Sequence, residues 1–156
     1  MTRDELIKEI RSVFSTDLVA LPARTLRAGN AYDEHLPEPP FDPKMDIPTE
    51  DYLEKYHWGV CHLDPLSWRH YLPALLEYSL KNMAEDDMTI EATLRSLRPP
   101  DRTPPRLASL SGAQEAVIAS FLETLAFDAH SAHQDFARQV LEEWWIPGAL
   151  YRPGIT

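Results

Sequence analysis

One cysteine lies close to several groups that could activate a thiol. His62 follows Cys61 directly, His57 lies four residues before it and Asp64 three residues after it. A thiol, an imidazole and a carboxylate can together form a nucleophilic site. Side chains adjacent in sequence often point apart, however, and the surrounding acids would raise the pKa of the thiol rather than lower it. We therefore expect a lone buried cysteine, with a catalytic role as the alternative.

A second group of candidate ligands lies near the carboxyl terminus. His130 and His133 are three residues apart and are flanked by Asp128 and Asp135, a chemically suitable set for a divalent metal. The same stretch lies at a predicted junction between two helices, where His and Asp commonly serve as caps and surface groups. We expect the second role and predict no metal site. The alternative is a small metal- or cysteine-dependent enzyme that uses this cluster or Cys61.

Acidic and aromatic residues are concentrated in one proline-rich stretch, residues 33–64, here named the acidic section. It contains nine acids and two bases, and so carries seven of the ten net negative charges of the chain. Interleaved carboxylates and aromatics suit a basic protein partner, because the acids steer the encounter and the aromatics bury anchor area. The predicted partner-binding residues are Asp33, Glu34, Glu38, Asp42, Asp46, Glu50, Asp51, Tyr52, Glu54, Tyr56 and Trp58.

A structural role is the alternative for the same section. Aromatic side chains in a long loop usually hold that loop on the core, and the acids between them then face water. The sequence leaves open whether residues 22–64 are packed on the core or exposed.

The overall composition excludes several classes of protein. The chain has 156 residues with 15 bases, 25 acids, a formal net charge of -10 and a pI of about 4.9. Such acidity argues against direct nucleic-acid binding, because phosphate binding requires cations. No apolar run approaches the roughly 18 residues of a membrane span, and the charged first residues do not resemble a signal peptide. We expect a cytoplasmic protein with no cofactor, since no phosphate-loop or dinucleotide motif is present.

Helices must position these groups, because the strand signal is weak throughout the sequence. Thr2 begins a possible capping box for a first helix over residues 2–14. Residues 15–64 are assigned to a proline-rich ordered loop with short turns of helix, since repeated prolines interrupt any helical period. Only residues 58–63 have the short apolar and aromatic character of a strand.

Four further stretches predict helices. Asp64-Pro65 has the form of an N-cap followed by proline in the first turn, and Pro73 either kinks or divides the helix that follows. Ser111 and Gln114 form the clearest capping box in the sequence. The two other predicted helices cover residues 89–97 and 133–145, and a proline-rich linker covers residues 98–110.

These elements predict a mainly α fold in one domain over residues 1–156. The expected architecture is a compact bundle of four to five helices, with the long proline-rich ordered loop between the first and second helices.

Two blocks of the sequence resemble a known family. They are Tyr71-Leu72-Pro73-Ala74, within an aromatic-rich helix, and Leu110-Ser111-x-x-Gln114, which leads to Phe121-Leu122. In these blocks the chain resembles a family of small uncharacterised bacterial domains. The resemblance implies the fold and a bacterial cytosolic setting, in which compact acidic domains of this size frequently act as immunity proteins.

The leading prediction is therefore a non-enzymatic protein-protein interaction protein. Its expected partner is a basic protein, and an immunity protein that neutralises a basic toxin or effector through the acidic section is the specific form predicted. A structural or self-associating role through the apolar residues 144–151 is a third hypothesis.

Overall fold

Helices form most of the chain. The computed structural model describes residues 1–101 and 104–153, and it is 62% helical with no strand in those ranges, which confirms the mainly α class. Its α-helices are α1 (Arg3–Val13), α2 (Ser15–Val19), α3 (Leu26–Asp33), α4 (Glu50–Lys55), α5 (Pro65–Asn82), α6 (Met88–Ser96), α7 (Gly112–Phe127) and α8 (Gln134–Val140). The same ranges include 3-10 helices at His57–His62 and Leu107–Ser109 and a π-helical turn at Leu141–Trp145. The predicted four to five helices are therefore too few.

The helix α5 forms the centre of the core. The Asp64 carboxylate accepts a 3.2 Å hydrogen bond from the Ser67 amide, and Pro65 occupies the first turn, as the sequence predicted. The helix runs unbroken to Asn82, so the buried Pro73 does not divide it. Neither α5 nor any other described helix has the length and apolarity needed to cross a membrane. The fully buried large side chains of α5 are Trp68, Tyr71, Leu72, Leu75, Leu76 and Leu80.

Two capping boxes predicted from the sequence are present. At the start of α1, the side chains of Thr2 and Glu5 each accept a hydrogen bond from the backbone amide of the other. Ser111 and Gln114 form the same pair of bonds at the start of α7. Both α1 and α7 pack on α5 and on each other, and each buries its apolar face in the shared core. The amino-terminal helix is thus part of the core, although residues 14–64 separate it from α5 in sequence.

The last predicted helix changes its geometry part-way. Residues 133–145 form α8 and then the π-helical turn Leu141–Trp145. Within this turn the Trp145 indole donates a 2.9 Å bond to the Leu97 carbonyl, and Glu143 pairs with Arg98 at 2.8 Å. The apolar residues proposed as a self-association surface are therefore partly committed to the core, since Trp145 is buried.

Short helices occupy much of the predicted loop at residues 15–64. Within it, α2, α3, α4 and the 3-10 helix His57–His62 alternate with irregular stretches, the longest of which covers residues 34–49. Residues 58–63, the stretch whose composition most resembles a strand, do not form one. Those residues have no partner strand within the described chain and instead pack as a 3-10 helix against α3.

A close backbone contact joins α3 to this 3-10 helix. A Cβ atom built on Gly59 would lie 2.3 Å from the Leu26 carbonyl oxygen, and one built on Gly29 would lie 2.7 Å from the Gly59 oxygen. Any side chain at either position would therefore force the two elements apart. The pair of glycines brings the carboxyl-terminal end of α3 beside the end of the 3-10 helix.

The predicted linker at residues 98–110 folds onto the core over its described part. Arg106 is buried, and its Nη1 donates a 3.2 Å bond to the Val60 carbonyl. Leu107 is also buried, and its amide donates to Asp101. Positions 102 and 103 of the linker lie outside the described residues.

Candidate functional site

Asp46 is one of the predicted partner-binding acids, and its side chain is buried. Arg27 donates to both carboxylate oxygens, at 3.1 Å and 2.9 Å, while the Tyr52 hydroxyl and the Asp42 amide each donate at 2.8 Å. Burial works against the charged carboxylate, but these bonds outweigh it and lower the pKa of Asp46. Its carboxylate oxygens are therefore engaged inside the protein, and the buried side chain offers little surface to a partner.

Tyr52 was expected to anchor a partner and is instead part of the core. Its hydroxyl lies between Asp46 and Tyr71, 3.5 Å from the Tyr71 hydroxyl, and burial raises the pKa of Tyr52 well above its ordinary value. Tyr56 is half-buried and sets its ring edge-on to Tyr52, with centroids 4.9 Å apart. The structural alternative therefore describes Tyr52, and Tyr56 offers a partner only part of its surface.

Several other acids of the section have partners within the protein. Glu38 forms an ion pair with Arg24 at 2.7 Å. Asp42 accepts a 2.8 Å bond from the Lys44 amide and so caps the turn that follows it. Glu34 is exposed and accepts a 3.2 Å hydrogen bond from the side-chain amide of Asn30, one helical turn earlier. These bonds help to hold the irregular stretch in place, and the ion pair with Arg24 neutralises the charge of Glu38.

The acids of α4 differ from Glu38 and Asp46, which form ion pairs. Glu50, Asp51 and Glu54 are exposed, and no basic side chain of the described residues forms an ion pair with any of them. Glu50 accepts a 2.8 Å bond from the Asn82 amide, and Glu54 accepts a 2.9 Å bond from the Tyr78 hydroxyl. Both partners are neutral, so the three charges remain uncompensated on the outer face of α4.

Large apolar side chains are also exposed in and beside the acidic section. Trp58 is 47% exposed and follows Glu54 by four residues. Single exposed apolar residues are common on protein surfaces, but several within one short stretch favour a contact site. The exposed large apolar residues between positions 32 and 58 are Tyr32, Leu36, Phe41, Met45, Ile47 and Trp58.

Cys61 is exposed, which contradicts the buried cysteine predicted from the sequence. Its thiol, the Asp33 carboxylate and the His62 imidazole form a cluster in which one ligand atom from each lies within 4.8 Å of the others. His62 Nε2 is 2.8 Å from Asp33 Oδ1. The other neighbours proposed for Cys61 do not join: Asp64 caps α5, and His57 Nδ1 bonds a backbone carbonyl of α4.

A cavity of about 300 Å³ opens beside this cluster. Asp33 and Cys61 line it together with Trp58, and Arg95 and Arg106 contribute basic groups to its walls. The cavity therefore combines a thiol, a carboxylate and cationic groups with an apolar surface.

His130 and His133 do not form a comparable group. His133 is buried, and its Nε2 lies 2.7 Å from the Glu85 carbonyl oxygen. His130 is exposed, and its backbone amide donates a 2.8 Å bond to the Asp128 carboxylate. Among residues 1–101 and 104–153, the metal-ligating groups that come together are those of the Cys61 cluster. Asp128 accepts the bond from His130 within the turn after α7 and does not cap α8, whose N-cap position is His133. His133 is not the surface residue that the sequence suggested.

Comparison with known proteins identifies the family. The sequence matches a family of unknown function, DUF6714, over residues 2–149. The chain belongs to DUF6714. The matched region includes all eight described α-helices, the acidic section and the Cys61 cluster, so each feature described above lies within the DUF6714 domain. No curated protein and no solved structure matches the chain.

Two features of the site were missed at the sequence level. Asp33 lies 29 positions before His62, so sequence proximity grouped Cys61 with Asp64 instead. Arg27, which neutralises Asp46, lies outside the acidic section. Gly29 and Gly59 were the available signal, because a glycine in each of two short elements can mark a close backbone approach.

Proposed function

We propose that this protein is a non-enzymatic interaction protein that binds a basic protein partner through the outer face of α4 and Trp58. The observation that supports the proposal is the set of three exposed, uncompensated carboxylates at Glu50, Asp51 and Glu54. Like charges at positions i and i+4 of a helix destabilise it, and Glu50 and Glu54 have this spacing. A cationic partner relieves that repulsion and gains attraction from all three groups.

Trp58 supplies the apolar part of the proposed surface. Tryptophan is enriched among interface residues that dominate binding energy, because it buries a large rigid surface. Nearly half of this side chain is free, and its ring lies 4.7 Å from the His57 ring, which limits its motion. The acids therefore set charge complementarity, and the indole supplies buried area.

The surface is held in place before any partner arrives. The inner face of α4 buries Tyr52 and Leu53, and Thr49 caps its amino terminus. The Tyr78 hydroxyl holds Glu54 from the side of α5. Binding then requires little ordering of the backbone, which lowers the entropic cost of association.

We further propose that the basic partner is a toxin or effector, and that the protein acts in the cytoplasm as its immunity protein. The acidity of the α4 face and the resemblance to small bacterial domains support this form of the function. The same acids repel phosphate groups, so direct binding to nucleic acid is not part of the proposal.

A capture experiment with a charge-matched control tests the proposal. The full chain is immobilised and incubated with lysate of the native host, and bound proteins are quantified by mass spectrometry. The test variant carries Glu50→Gln, Asp51→Asn and Glu54→Gln. The control carries Glu9→Gln, Glu123→Gln and Glu142→Gln, which change net charge equally at exposed positions on α1, α7 and the π-helical turn.

We expect a basic protein to bind the wild type and the control, and to bind the test variant at least about fivefold more weakly. Three charge pairs at roughly 0.3–1 kcal/mol each amount to about 1–3 kcal/mol. Equal capture by all three proteins, or equal loss from both variants, contradicts a specific role for α4. A captured basic protein that is not a toxin or effector overturns the immunity assignment alone.

A further inference from the structure

We propose that Asp33, Cys61 and His62 form a zinc-binding site. The site adjoins the proposed partner surface at Trp58, which lines the same cavity, but it does not depend on the function proposed above. It joins the carboxyl-terminal end of α3 to the end of the 3-10 helix His57–His62.

The ligand chemistry selects the metal. Thiolate and imidazole are preferred ligands of Zn²⁺, and a carboxylate oxygen is accepted as a third, whereas Mg²⁺ and Ca²⁺ take oxygen ligands alone. Bond lengths of about 2.0–2.3 Å place two ligand atoms of one zinc site roughly 3–4 Å apart. The three ligand atoms lie within 4.8 Å of one another, so small side-chain rotations bring them to these distances.

The backbone beneath the cluster is fixed. The close contact of Gly29 with Gly59 sets the distance between α3 and the 3-10 helix. Arg24 Nη1 donates a 2.7 Å bond to the His62 carbonyl and so holds the last residue of the 3-10 helix. The Tyr32 ring lies edge-on to the His62 ring at 4.9 Å. The ligands are therefore presented by elements that the rest of the fold already positions.

The charges and protons balance on binding. Zn²⁺ replaces the thiol proton of Cys61, which passes to solvent. It also replaces the contact between Asp33 and His62, and the imidazole hydrogen is then carried by the ring nitrogen that does not bind the metal. A thiolate and a carboxylate together neutralise the double positive charge. No redox step or additional reactant is involved.

Three protein ligands leave one tetrahedral position of zinc open. Asp33 and Cys61 both line the cavity of about 300 Å³, which gives water or a small ligand access to the metal. The site therefore has the ligand number of a zinc centre that holds an exchangeable group, rather than that of a closed four-ligand structural site.

Metal titration of the full-length, tag-free, reduced protein tests the inference. Zn²⁺ affinity is measured by competition with a chromophoric chelator, and Co²⁺ is used as a spectroscopic probe of thiolate ligation. The test variants are Cys61→Ser and Asp33→Asn, which keep side-chain shape at exposed positions. The control is His130→Gln, which removes an exposed histidine from the other candidate cluster.

We expect one equivalent of Zn²⁺ to bind the wild type and the control, and Co²⁺ to give a thiolate charge-transfer band. Each test variant should bind Zn²⁺ at least about tenfold more weakly, because loss of even an outer-shell partner costs 10–100-fold in affinity. The band should disappear in Cys61→Ser. Absence of binding to wild type, or unchanged affinity in folded Cys61→Ser, overturns the proposal, and circular dichroism verifies folding.

Discussion

The α5 core and the acidic section are stabilised by different kinds of contact. In α5, large apolar side chains such as Trp68 and Leu72 are fully buried, and each of several residues contributes to the same core. In the acidic section, most side chains between residues 34 and 49 are exposed. The irregular part of the section is anchored by one buried acid, Asp46, and the later part by the backbone contact between Gly29 and Gly59 and by four core residues, Tyr52, Leu53, Val60 and Leu63.

The two kinds of contact respond differently to the loss of a single side chain. Apolar burial is distributed over many residues, and truncation of one large core side chain costs about 2–5 kcal/mol. Polar anchoring is concentrated, so the loss of Asp46 leaves Arg27 with a mostly buried and unpaired charge. The acids of the section thus include one buried residue with a structural role, Asp46, and an exposed group on α4.

The largest expected effect is that of Asp46→Asn. Breaking a buried ion pair by removing one partner costs about 3–5 kcal/mol, and we expect a loss of that size in the free energy of unfolding. Urea denaturation followed by tryptophan fluorescence measures it. Asp51→Asn is the control, because this exposed acid should change stability by no more than about 0.5 kcal/mol. Equal stability of the two variants would remove the distinction between the two groups of acids.

The next effect is that of Gly59→Ala, which tests the backbone contact. The added Cβ would lie 2.3 Å from the Leu26 carbonyl oxygen, so we expect a loss of about 1–3 kcal/mol in the free energy of unfolding. Gly112→Ala is the matched control, since nothing lies within 4 Å of its Cβ position and we expect a gain of about 0.4–1 kcal/mol. A stable Gly59→Ala protein would show that α3 and the 3-10 helix can separate at little cost.

The sequence predicted the core better than the acidic section for a physical reason. Caps at Thr2, Asp64 and Ser111 and the helical period of the apolar residues are local signals, and the structure confirms them. The contacts of Asp46 with Arg27 and of Asp33 with His62 join positions 19 and 29 residues apart. No periodicity marks such pairs, because they depend on how short helices pack.

A smaller effect is expected at the start of α7. Ser111→Ala removes the hydroxyl that accepts the Gln114 amide bond, and the loss of an N-cap costs about 1 kcal/mol. In a chain of this length, thermal unfolding should shift downward by about 2–4 °C. Ser12→Ala in α1 serves as the control, because Ser12 is exposed and alanine is the better helix former. A shift equal to that of the control would mean that the cap contributes nothing.

The smallest expected effect is the pH dependence of stability that comes from the buried Asp46 carboxylate and its hydrogen bonds. The pKa of Asp46 is lowered in the folded state, so the unfolded chain binds its proton first as pH falls. The stabilisation is complete above the ordinary value of 3.8 and is lost as pH falls through the lower folded pKa. Urea denaturation from pH 6 downward should show the difference between wild type and Asp46→Asn shrinking below this value. A difference that is constant over the acid range contradicts the assigned role.

The central claim is that the charges of the α4 acids serve a partner, whereas their bonds to Asn82 and Tyr78 need only an acceptor oxygen, which an amide side chain also has. The most direct test measures the unfolding free energy of the Glu50→Gln, Asp51→Asn, Glu54→Gln variant and its affinity for the purified captured partner at several salt concentrations. We predict stability within about 1 kcal/mol of wild type, affinity reduced at least about fivefold and a weaker salt dependence. Affinity and salt dependence equal to those of the Glu9→Gln, Glu123→Gln, Glu142→Gln control would contradict the claim.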